Sequence, residues 1–136
     1  MNTIGEEKQN SGKIKSFTDL TTWQEGHKLV IDIYKITRHF PQEEIYSLVN
    51  QMRRAASSVT SNIAEGFGRQ TYKEKIQFYY VAQGSLTELK NQLLIAKDVG
   101  YLDLKNFSSL MESADTTHKI LQGLITKSKS FLNPKS

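Results

Sequence analysis

Three polar residues near the middle of the chain have the spacing of one helix face. Asn62, Glu65 and Arg69 follow one another at intervals of three and four residues. An amide and a carboxylate in this arrangement could bind a ligand or, less simply, catalyse a reaction. The structural alternative pairs Glu65 with Arg69, or with Arg53 or Arg54 of a neighbouring subunit, while Asn62 holds the following turn. We favour the structural interpretation, because such an ion pair can set the specificity of packing even when it adds little stability.

Two consecutive arginines, Arg53 and Arg54, form a second candidate site in the same predicted helix. Neighbouring residues of an α-helix point about 100° apart, so the two side chains cannot both face one partner squarely. We expect one to lie at a helix or subunit boundary and the other nearer solvent. A guanidinium suits both carboxylates and phosphates, so the first interpretation is a salt bridge in an assembly and the second is a phosphate contact.

Three cations at the end of the glycine-rich segment Gly66–Arg69 and just after it form a candidate nucleic-acid site. Arg69, Lys73 and Lys75 lie at the start of the next predicted helix, where free N–H groups and the positive end of the helix dipole favour anions. The glycines are weak evidence for a phosphate-binding loop, because such a loop follows a strand and here a helix precedes it. We therefore predict that the glycines end that helix and that the three cations contact phosphate or an RNA backbone.

Other aromatic and basic side chains allow two interpretations each. Tyr72, Tyr79 and Tyr80 could stack on bases, but aromatic residues on a bundle surface more often fill a subunit interface, which we favour. The lysines near the C-terminus could form a basic tail, but we favour a solvated helix end whose charges complement the helix dipole. These lysines are Lys127, Lys129 and Lys135.

Several kinds of chemistry lack the residues that would carry them. The chain has no cysteine, and His27, His39 and His118 are too scattered to predict a metal site. Neither a His-Glu-x-x-His motif nor the Glu-x-x-His pairs of di-iron bundles occur. No nucleophile and base stand in a supporting arrangement, so we expect no enzyme, no metal and no cofactor.

The composition is that of a small protein with a mild positive charge. The 136 residues suffice for one core, and 18 basic against 14 acidic residues give a formal net charge of +4. Such a charge permits an anionic partner without requiring one. No apolar run approaches the ~18 residues of a membrane span, and the N-terminal segment lacks the apolar core of a signal peptide. We therefore expect a cytoplasmic protein that does not contact a membrane.

The first two helices are predicted from capping residues and apolar spacing. The first opens with a capping box at Thr22–Glu25 and ends near Phe40, and the second runs from an N-cap at Ser47 to about Glu65. The predicted buried face of the first helix contains Trp23, His27, Val30, Tyr34 and Thr37. That of the second contains Leu48, Met52, Ala55, Val59 and Ile63.

The third and fourth helices are predicted in the same way. A capping box at Thr71–Glu74 opens the third helix, which is about 28 residues long. Gly84 in its middle costs roughly 1 kcal/mol of helix propensity, so we expect another helix to approach closely there. Asp103 is a candidate N-cap for the fourth helix, which ends at Asn133–Pro134. The predicted buried residues are Phe78, Ala82, Ser85, Leu89, Leu93 and Ala96 in the third helix, and Phe107, Leu110, Met111, Ala114, Thr117, Leu121, Leu124 and Ser128 in the fourth.

Four helices with short links predict an all-α fold, an antiparallel up-down-up-down four-helix bundle. We place the bundle domain at residues 17–132. A disordered polar tail at residues 1–16 precedes it, and a short C-terminal tail at residues 133–136 follows it.

Several motifs, taken in chain order, resemble one bacterial family. The most specific is Asn62-Ile63-Ala64-Glu65-Gly66-x-Gly68-Arg69. The others are Phe17-Thr-Asp-Leu20-x-x-Trp23, Phe40-Pro41-x-x-Glu44-x-Tyr46-x-Leu48, Gln51-x-Arg53-Arg54-Ala55-Ala56-x-Ser58, Gly84-Ser85-x-x-Glu88-Leu89 and Gly100-Tyr101-Leu102. Over about residues 17–130 the chain is similar to the 23S ribosomal RNA intervening-sequence protein family. Val49 stands where that family usually has a hydroxyl residue, which moves the predicted cap of the second helix to Ser47.

The resemblance implies a small, all-helical, cytoplasmic protein that assembles as a homopentameric ring. Some family members are encoded inside intervening sequences of large-subunit ribosomal RNA genes. A related branch includes the accessory variability protein of diversity-generating retroelements, which pairs with a reverse transcriptase and nucleic acid. By this resemblance the partners would be further copies of the chain, RNA or DNA, and a protein such as a reverse transcriptase. We group Glu88, from the family motifs, with Asn62, Glu65 and Arg69 as polar residues that serve structure or assembly.

Sequence and resemblance together predict a non-enzymatic oligomeric bundle that serves as a nucleic-acid- or ribonucleoprotein-associated accessory protein. In an assembled ring, Arg69, Lys73 and Lys75 would repeat around one rim, so symmetry would multiply a weak phosphate contact. The alternative is a purely structural homo-oligomer that binds a protein partner. Salt distinguishes the two, because phosphate contacts weaken steeply as salt rises and apolar protein contacts do not.

Overall fold

The computed structural model describes residues 13–132 and contains four α-helices and no strand in that part of the chain. Helix α1 spans Thr21–Thr37, α2 spans Leu48–Phe67, α3 spans Tyr72–Asp98 and α4 spans Leu104–Lys129. Short 3₁₀ turns precede α1 and α2, at Phe17–Asp19 and Gln42–Glu44. The prediction of an all-α chain with four helices is confirmed. Residues 1–12 of the predicted N-terminal tail, and the whole predicted C-terminal tail with Lys135, lie outside the described residues.

Each helix packs against two of the others. Helix α2 contacts α1 and α3, and α4 contacts the same two helices. Contacting residues of α2 and α3 run in opposite order along the two helices. The hydroxyl of Ser58 hydrogen-bonds that of Ser85, whereas Gly66, later on α2, lies against Tyr79, earlier on α3. The largest fully buried side chains are mainly aliphatic: Leu29, Ile33, Met52, Val59, Ile63, Leu86, Leu89, Leu93, Thr117, Leu121 and Ile125.

Helix α1 begins differently from the prediction. Its N-cap is Leu20, whose side chain makes no capping hydrogen bond. A capping box closes the preceding 3₁₀ turn instead, where Ser16 Oγ accepts a hydrogen bond from Thr18 N and the Asp19 carboxylate accepts one from Ser16 N. Thr22 is buried and is not the N-cap. The predicted box at Thr22–Glu25 is therefore wrong, because the chain has already turned into the helix before that point.

The buried face of α1 is also rotated by about one residue from the predicted one. Val30 and Thr37 are buried as predicted, but His27 and Tyr34 are exposed and Trp23 is half-buried. The small residue Gly26 lies against Thr60 of α2 and Thr117 of α4, which brings α1 close to both helices. The buried residues are Thr22, Gly26, Leu29, Val30, Ile33 and Thr37.

Helix α2 buries all five residues predicted for it and begins as predicted, with Ser47 in the N-cap position, but its C-terminal end differs from the prediction. Ser47 makes no capping hydrogen bond, and its hydroxyl instead donates to Glu44 Oε1 at 2.6 Å. The helix continues through Gly66 to Phe67, two residues beyond the predicted end. Gly68 at the C-cap has a φ of −80°, so the turn does not use the left-handed backbone that glycine permits.

Helices α3 and α4 begin as predicted. Thr71 Oγ1 accepts from Glu74 N at 3.1 Å, and Asp103 Oδ1 accepts from Asn106 N at 2.7 Å. Helix α3 has 27 residues, close to the predicted length. The close helix contact predicted at Gly84 is wrong within the chain, because a Cβ built there would meet nothing within 4 Å. The end predicted for α4 is also wrong, since this helix stops at Lys129.

Candidate functional site

The basic end of the bundle, formed by residues 65–75 and 127–131, contains most of the predicted nucleic-acid site. Arg69 Nη2 lies 3.0 Å from Glu65 Oε1, so these two residues pair within one chain as their spacing predicts. Both side chains are about half exposed, and the Arg69 guanidinium also lies 4.5 Å from the centre of the Phe78 ring. The charge of Arg69 is therefore partly balanced, while its outer surface still faces solvent.

Lys75 has a structural role that its sequence position did not predict. Its Nζ donates to the carbonyl oxygen of Phe67 at 2.6 Å, at the C-terminal end of α2. The last carbonyls of a helix have no partner within the helix and carry its negative dipole end, so an ammonium there stabilises the helix terminus. Partial burial lowers the pKa of Lys75. This lysine is committed to the turn, and its charge is less available to phosphate than that of an exposed lysine.

Lys73 differs from its two predicted companions. Its side chain is exposed, and among the described residues it forms no ion pair with a carboxylate. Lys127 and Lys129, in the last turn of α4, are also exposed at this end. The cations open to a ligand are therefore Lys73, Lys127 and Lys129, together with the outer face of Arg69.

Aromatic rings accompany these cations. The rings of Tyr72 and Phe131 stack with centroids 4.8 Å apart, which joins the start of α3 to the residues after α4. Lys129 Nζ lies 5.2 Å from the centroid of Tyr80. Tyr79 is different, because it is buried against Gly66 and only 2% exposed. The prediction that Tyr79 lies on the surface with Tyr72 and Tyr80 is wrong.

The two consecutive arginines point to different places, as their angular separation predicts. Arg53 is half-buried between α1 and α2, where its Nε donates to Thr37 Oγ1 at 2.9 Å and its guanidinium lies 4.7 Å from the centroid of Tyr34. Arg54 is exposed and lines a cavity of about 330 Å³ together with Glu88 of α3. Neither arginine lies with the cations of the basic end. The other residues lining this cavity are Asn50, Gln51, Ala55 and Ser58.

Of the remaining polar residues, Asn62 belongs to a hydrogen-bond network between α2 and α3, away from the turn, and Glu88 bonds within α3. Asn62 Nδ2 donates to the carbonyl and hydroxyl oxygens of Ser58 at 2.8 and 3.1 Å, and Ser58 Oγ lies 2.8 Å from Ser85 Oγ. The prediction that Asn62 holds the turn is therefore wrong. Glu88 accepts a long hydrogen bond from Gln92 Nε2 at 3.4 Å, and the buried Oε1 of Gln92 has no partner among the described residues. The structure thus separates Glu65 and Arg69 from Asn62 and Glu88.

Sequence reasoning missed a second polar cluster, between α3 and α4. Lys90 Nζ lies 2.9 Å from His118 Nδ1 and 2.8 Å from Asp115 Oδ1. Desolvation and the neighbouring ammonium lower the pKa of His118, and Asp115 opposes that shift. Asp115 and His118 are three residues apart on α4, but Lys90 comes from another helix, so the sequence pattern did not reveal the cluster.

Neither a metal site nor a membrane span is found in the described part of the chain. No group of three or more histidine or acidic side chains could hold a metal ion among residues 13–132. In the same residues, no helix combines the length and the apolar character needed to cross a bilayer.

Comparisons with known proteins identify relatives of this chain. Residues 18–123 match the model of the family described as 23S rRNA-intervening sequence protein. A crystal structure of a protein of unknown function, from the S23 ribosomal protein family of Bacteroides thetaiotaomicron VPI-5482, has the same fold. It gives a TM-score of 0.72 at 17% identity, over 77% of this chain and 95% of that one. None of the curated proteins matches significantly.

Proposed function

We propose a function for this chain, which belongs to the 23S rRNA-intervening sequence protein family. On this proposal it is a non-enzymatic, oligomeric four-helix bundle that associates with RNA as an accessory protein of ribonucleoproteins. The family name supports the choice of RNA, and the charge and exposed rings of the basic end support it independently of the name.

The observation that carries the proposal is the composition of the basic end. Residues 65–75 and 127–131 contain five lysines and arginines against two glutamates. Two of these cations, Arg69 and Lys75, have partners within the chain, which leaves Lys73, Lys127 and Lys129 exposed for phosphate. Lysine and arginine contacts to the backbone supply most of the affinity of sequence-independent nucleic-acid binding.

The proposal includes an up-down-up-down topology and self-assembly. The antiparallel arrangement is supported by the contacts between α2 and α3, because residues later on α2 contact residues earlier on α3. The link of four residues between these helices also supports it. Assembly is supported by one outward face of α3, on which helical spacing places Val81, 54% exposed, and Ile95, 42% exposed. Gly84 lies between them with open space around it, so a helix of a second copy could approach closely there.

A ring of copies would multiply a weak phosphate contact. Each chain presents the same exposed lysines, and simultaneous contacts along one RNA strengthen binding without any new interaction. The family resemblance favours five copies. Because several phosphates would be neutralised together, we expect the affinity to fall steeply as salt increases.

The test is the mass of the protein by light scattering, with and without a heterogeneous RNA pool at low salt. We expect a multimer that gains mass with RNA and loses that gain as salt rises. The variant Lys73→Gln/Lys127→Gln/Lys129→Gln should bind RNA weakly while remaining a multimer. The matched control is Lys35→Gln/Lys105→Gln/Lys119→Gln, which removes the same charge from exposed lysines elsewhere. Equal loss of binding in both variants would contradict the basic end as the site.

The alternative is a homo-oligomeric scaffold for a protein partner, and one observation favours it. Tyr46 is 93% exposed and Leu104 is 70% exposed, with Ile45 and Val99 also exposed near the α1–α2 and α3–α4 links. Exposed apolar side chains of this kind suit a protein partner. A multimer whose mass does not change with RNA at low salt would favour this alternative.

A further inference from the structure

We propose that the exposed rings of Tyr72, Tyr80 and Phe131, here called the ring surface, stack on the bases of unpaired RNA. This inference rests on the proposed RNA association and adds to it the form of the nucleic acid: single-stranded and not duplex. In this inference the rings contact RNA, whereas the sequence favoured a subunit interface for the tyrosines.

The ring surface is exposed where an anionic strand would pass. Tyr72 is 39% exposed, Tyr80 is 43% exposed and Phe131 is 54% exposed. The Tyr72 and Phe131 rings already stack on each other at 4.8 Å, so they present a preformed aromatic surface. Rings held in place lose little freedom when a base stacks on them, which favours binding.

One exposed lysine lies close to a ring, since Lys129 Nζ is 5.2 Å from the centroid of Tyr80. Lys75 Nζ is 5.8 Å from the centroid of Tyr72, but the carbonyl oxygen of Phe67 holds it, so Lys129 is the cation beside the rings that a phosphate can reach. Surfaces that bind single strands combine aromatic rings for the bases with cations that follow the phosphates. Lys73 and Lys127 are also exposed, near the start of α3 and in the last turn of α4, and they add positive charge to the basic end.

This combination distinguishes unpaired RNA from a duplex. In a duplex the base faces are already stacked inside the helix, so they cannot reach a protein ring without unpairing. A protein-binding surface would also use exposed rings, but it would not need lysines next to them, since lysine is depleted in the cores of protein interfaces. The charge therefore favours a nucleic-acid strand as the occupant.

The test measures binding of a fluorescently labelled RNA of about twelve nucleotides, a typical site size for such surfaces. The same strand is tested alone and annealed to its complement, by fluorescence anisotropy with the full chain at low salt. We expect the single strand to bind about tenfold more tightly than the duplex. We expect Tyr80→Ala and Phe131→Ala each to weaken single-strand binding by about tenfold, the usual effect of losing one stacking ring. Tyr80→Phe keeps the ring and should bind as the unaltered chain does.

The matched control is Tyr34→Ala. Tyr34 is 40% exposed and also has a cation over its ring, the guanidinium of Arg53 at 4.7 Å, but it lies on α1 away from the basic end. Its loss should leave RNA binding unchanged. Because Phe131→Ala could loosen the segment after α4, circular dichroism of each variant is compared, and Tyr80→Ala decides the result if only Phe131→Ala loses helix.

The outcomes separate this inference from the function on which it rests. Absence of binding to either RNA would overturn the proposed RNA association itself. Equal binding to the single strand and the duplex, unchanged by Tyr80→Ala but weakened by Lys73→Gln/Lys127→Gln/Lys129→Gln, would overturn the stacking role alone. An equal loss from Tyr34→Ala and Tyr80→Ala would also overturn it.

Discussion

Gly66 of α2 lies directly against the ring of Tyr79 of α3. A Cβ built on Gly66 would stand 2.6 Å from Tyr79 Cε1 and 3.1 Å from the carbonyl oxygen of Lys75. Burial raises the pKa of Tyr79 to about 12. The contact fixes the end of α2 against the start of α3, next to the turn that holds Arg69 and Lys75. The glycine that resembled part of a phosphate-binding loop therefore serves packing.

We predict that Gly66→Ala destabilises the fold by about 1–3 kcal/mol, because overfilling a packed contact forces side chains or backbone to shift. The matched control is Gly123→Ala on α4, where a Cβ would meet nothing within 4 Å. That substitution should stabilise the fold by up to ~1 kcal/mol through helix propensity. Urea unfolding followed by circular dichroism measures both changes. Equal midpoints for the two variants would contradict the contact.

The sequence predicted α2 well because one face of this helix is apolar and the other is polar. Leu48, Met52, Ala55, Val59 and Ile63 are all buried. Helix α1 was harder, because its buried face includes the small residues Thr22 and Gly26, of which Gly26 lies against α2 and α4, while Trp23 is half-buried. A buried face predicted from the spacing of large apolar residues omits small buried residues, so the prediction fails where close packing of helices depends on small residues.

Gly84 allows a contact within the chain to be distinguished from a contact between two copies of the chain. Within one chain nothing approaches it, so Gly84→Leu should leave the fold and its helix content intact. If a second copy packs there as proposed, the leucine side chain should lower the mass of the assembly in light scattering. Gly84→Ala, which adds a single methyl group, is the graded comparison and should disturb assembly less. A Gly84→Leu variant with unchanged mass would place the subunit contact elsewhere.

The Glu44–Tyr101 hydrogen bond should make stability depend on acid. Tyr101 Oη donates to Glu44 Oε2 at 2.7 Å, and Ser47 donates to the other carboxylate oxygen. Bonds from Ser47 first, and then from Tyr101, hold the pKa of Glu44 below its ordinary value of 4.5. A carboxylate with a lowered folded-state pKa stabilises the fold above its ordinary pKa and loses that contribution as pH falls further.

We predict that Tyr101→Phe lowers the melting temperature at neutral pH and that the difference shrinks as the pH falls below about 4.5. Tyr46→Phe is the control, since Tyr46 is in the same region but its side chain is 93% exposed. Its melting temperature should match that of the unaltered chain at every pH. A constant difference for Tyr101→Phe across the pH range would show that the ionised form of Glu44 is not what the hydroxyl stabilises.

The candidate site was only partly predictable, because its partners come from distant parts of the chain. The Glu65–Arg69 ion pair follows from helical spacing, as does the divergence of Arg53 and Arg54. The approach of Lys129 to Tyr80 depends on how α3 and α4 pack, and no local pattern encodes it. Spacing within a helix predicts which residues share a face, whereas contacts between helices depend on the packing of the whole core.

His118 provides the last prediction, a loss of stability in mild acid. Lys90 donates to His118 Nδ1 at 2.9 Å, which requires that nitrogen to be unprotonated. Asp115, also on α4, forms an ion pair with the same lysine. Burial, and then the Lys90 charge, lower the pKa of His118 below 6.5. The folded state therefore binds fewer protons than the unfolded state near that pH, so this contribution to stability is present above pH 6.5 and is lost as pH falls.

We expect the melting temperature to fall between about pH 7 and pH 5, where only histidine among unperturbed side chains titrates. His118→Asn keeps an acceptor for Lys90 but cannot titrate, so its profile should be flatter, and Lys90→Gln, which removes the neighbouring charge, should give an intermediate slope. If His118→Asn retained the full slope of the unaltered chain, another group would be responsible for the acid sensitivity.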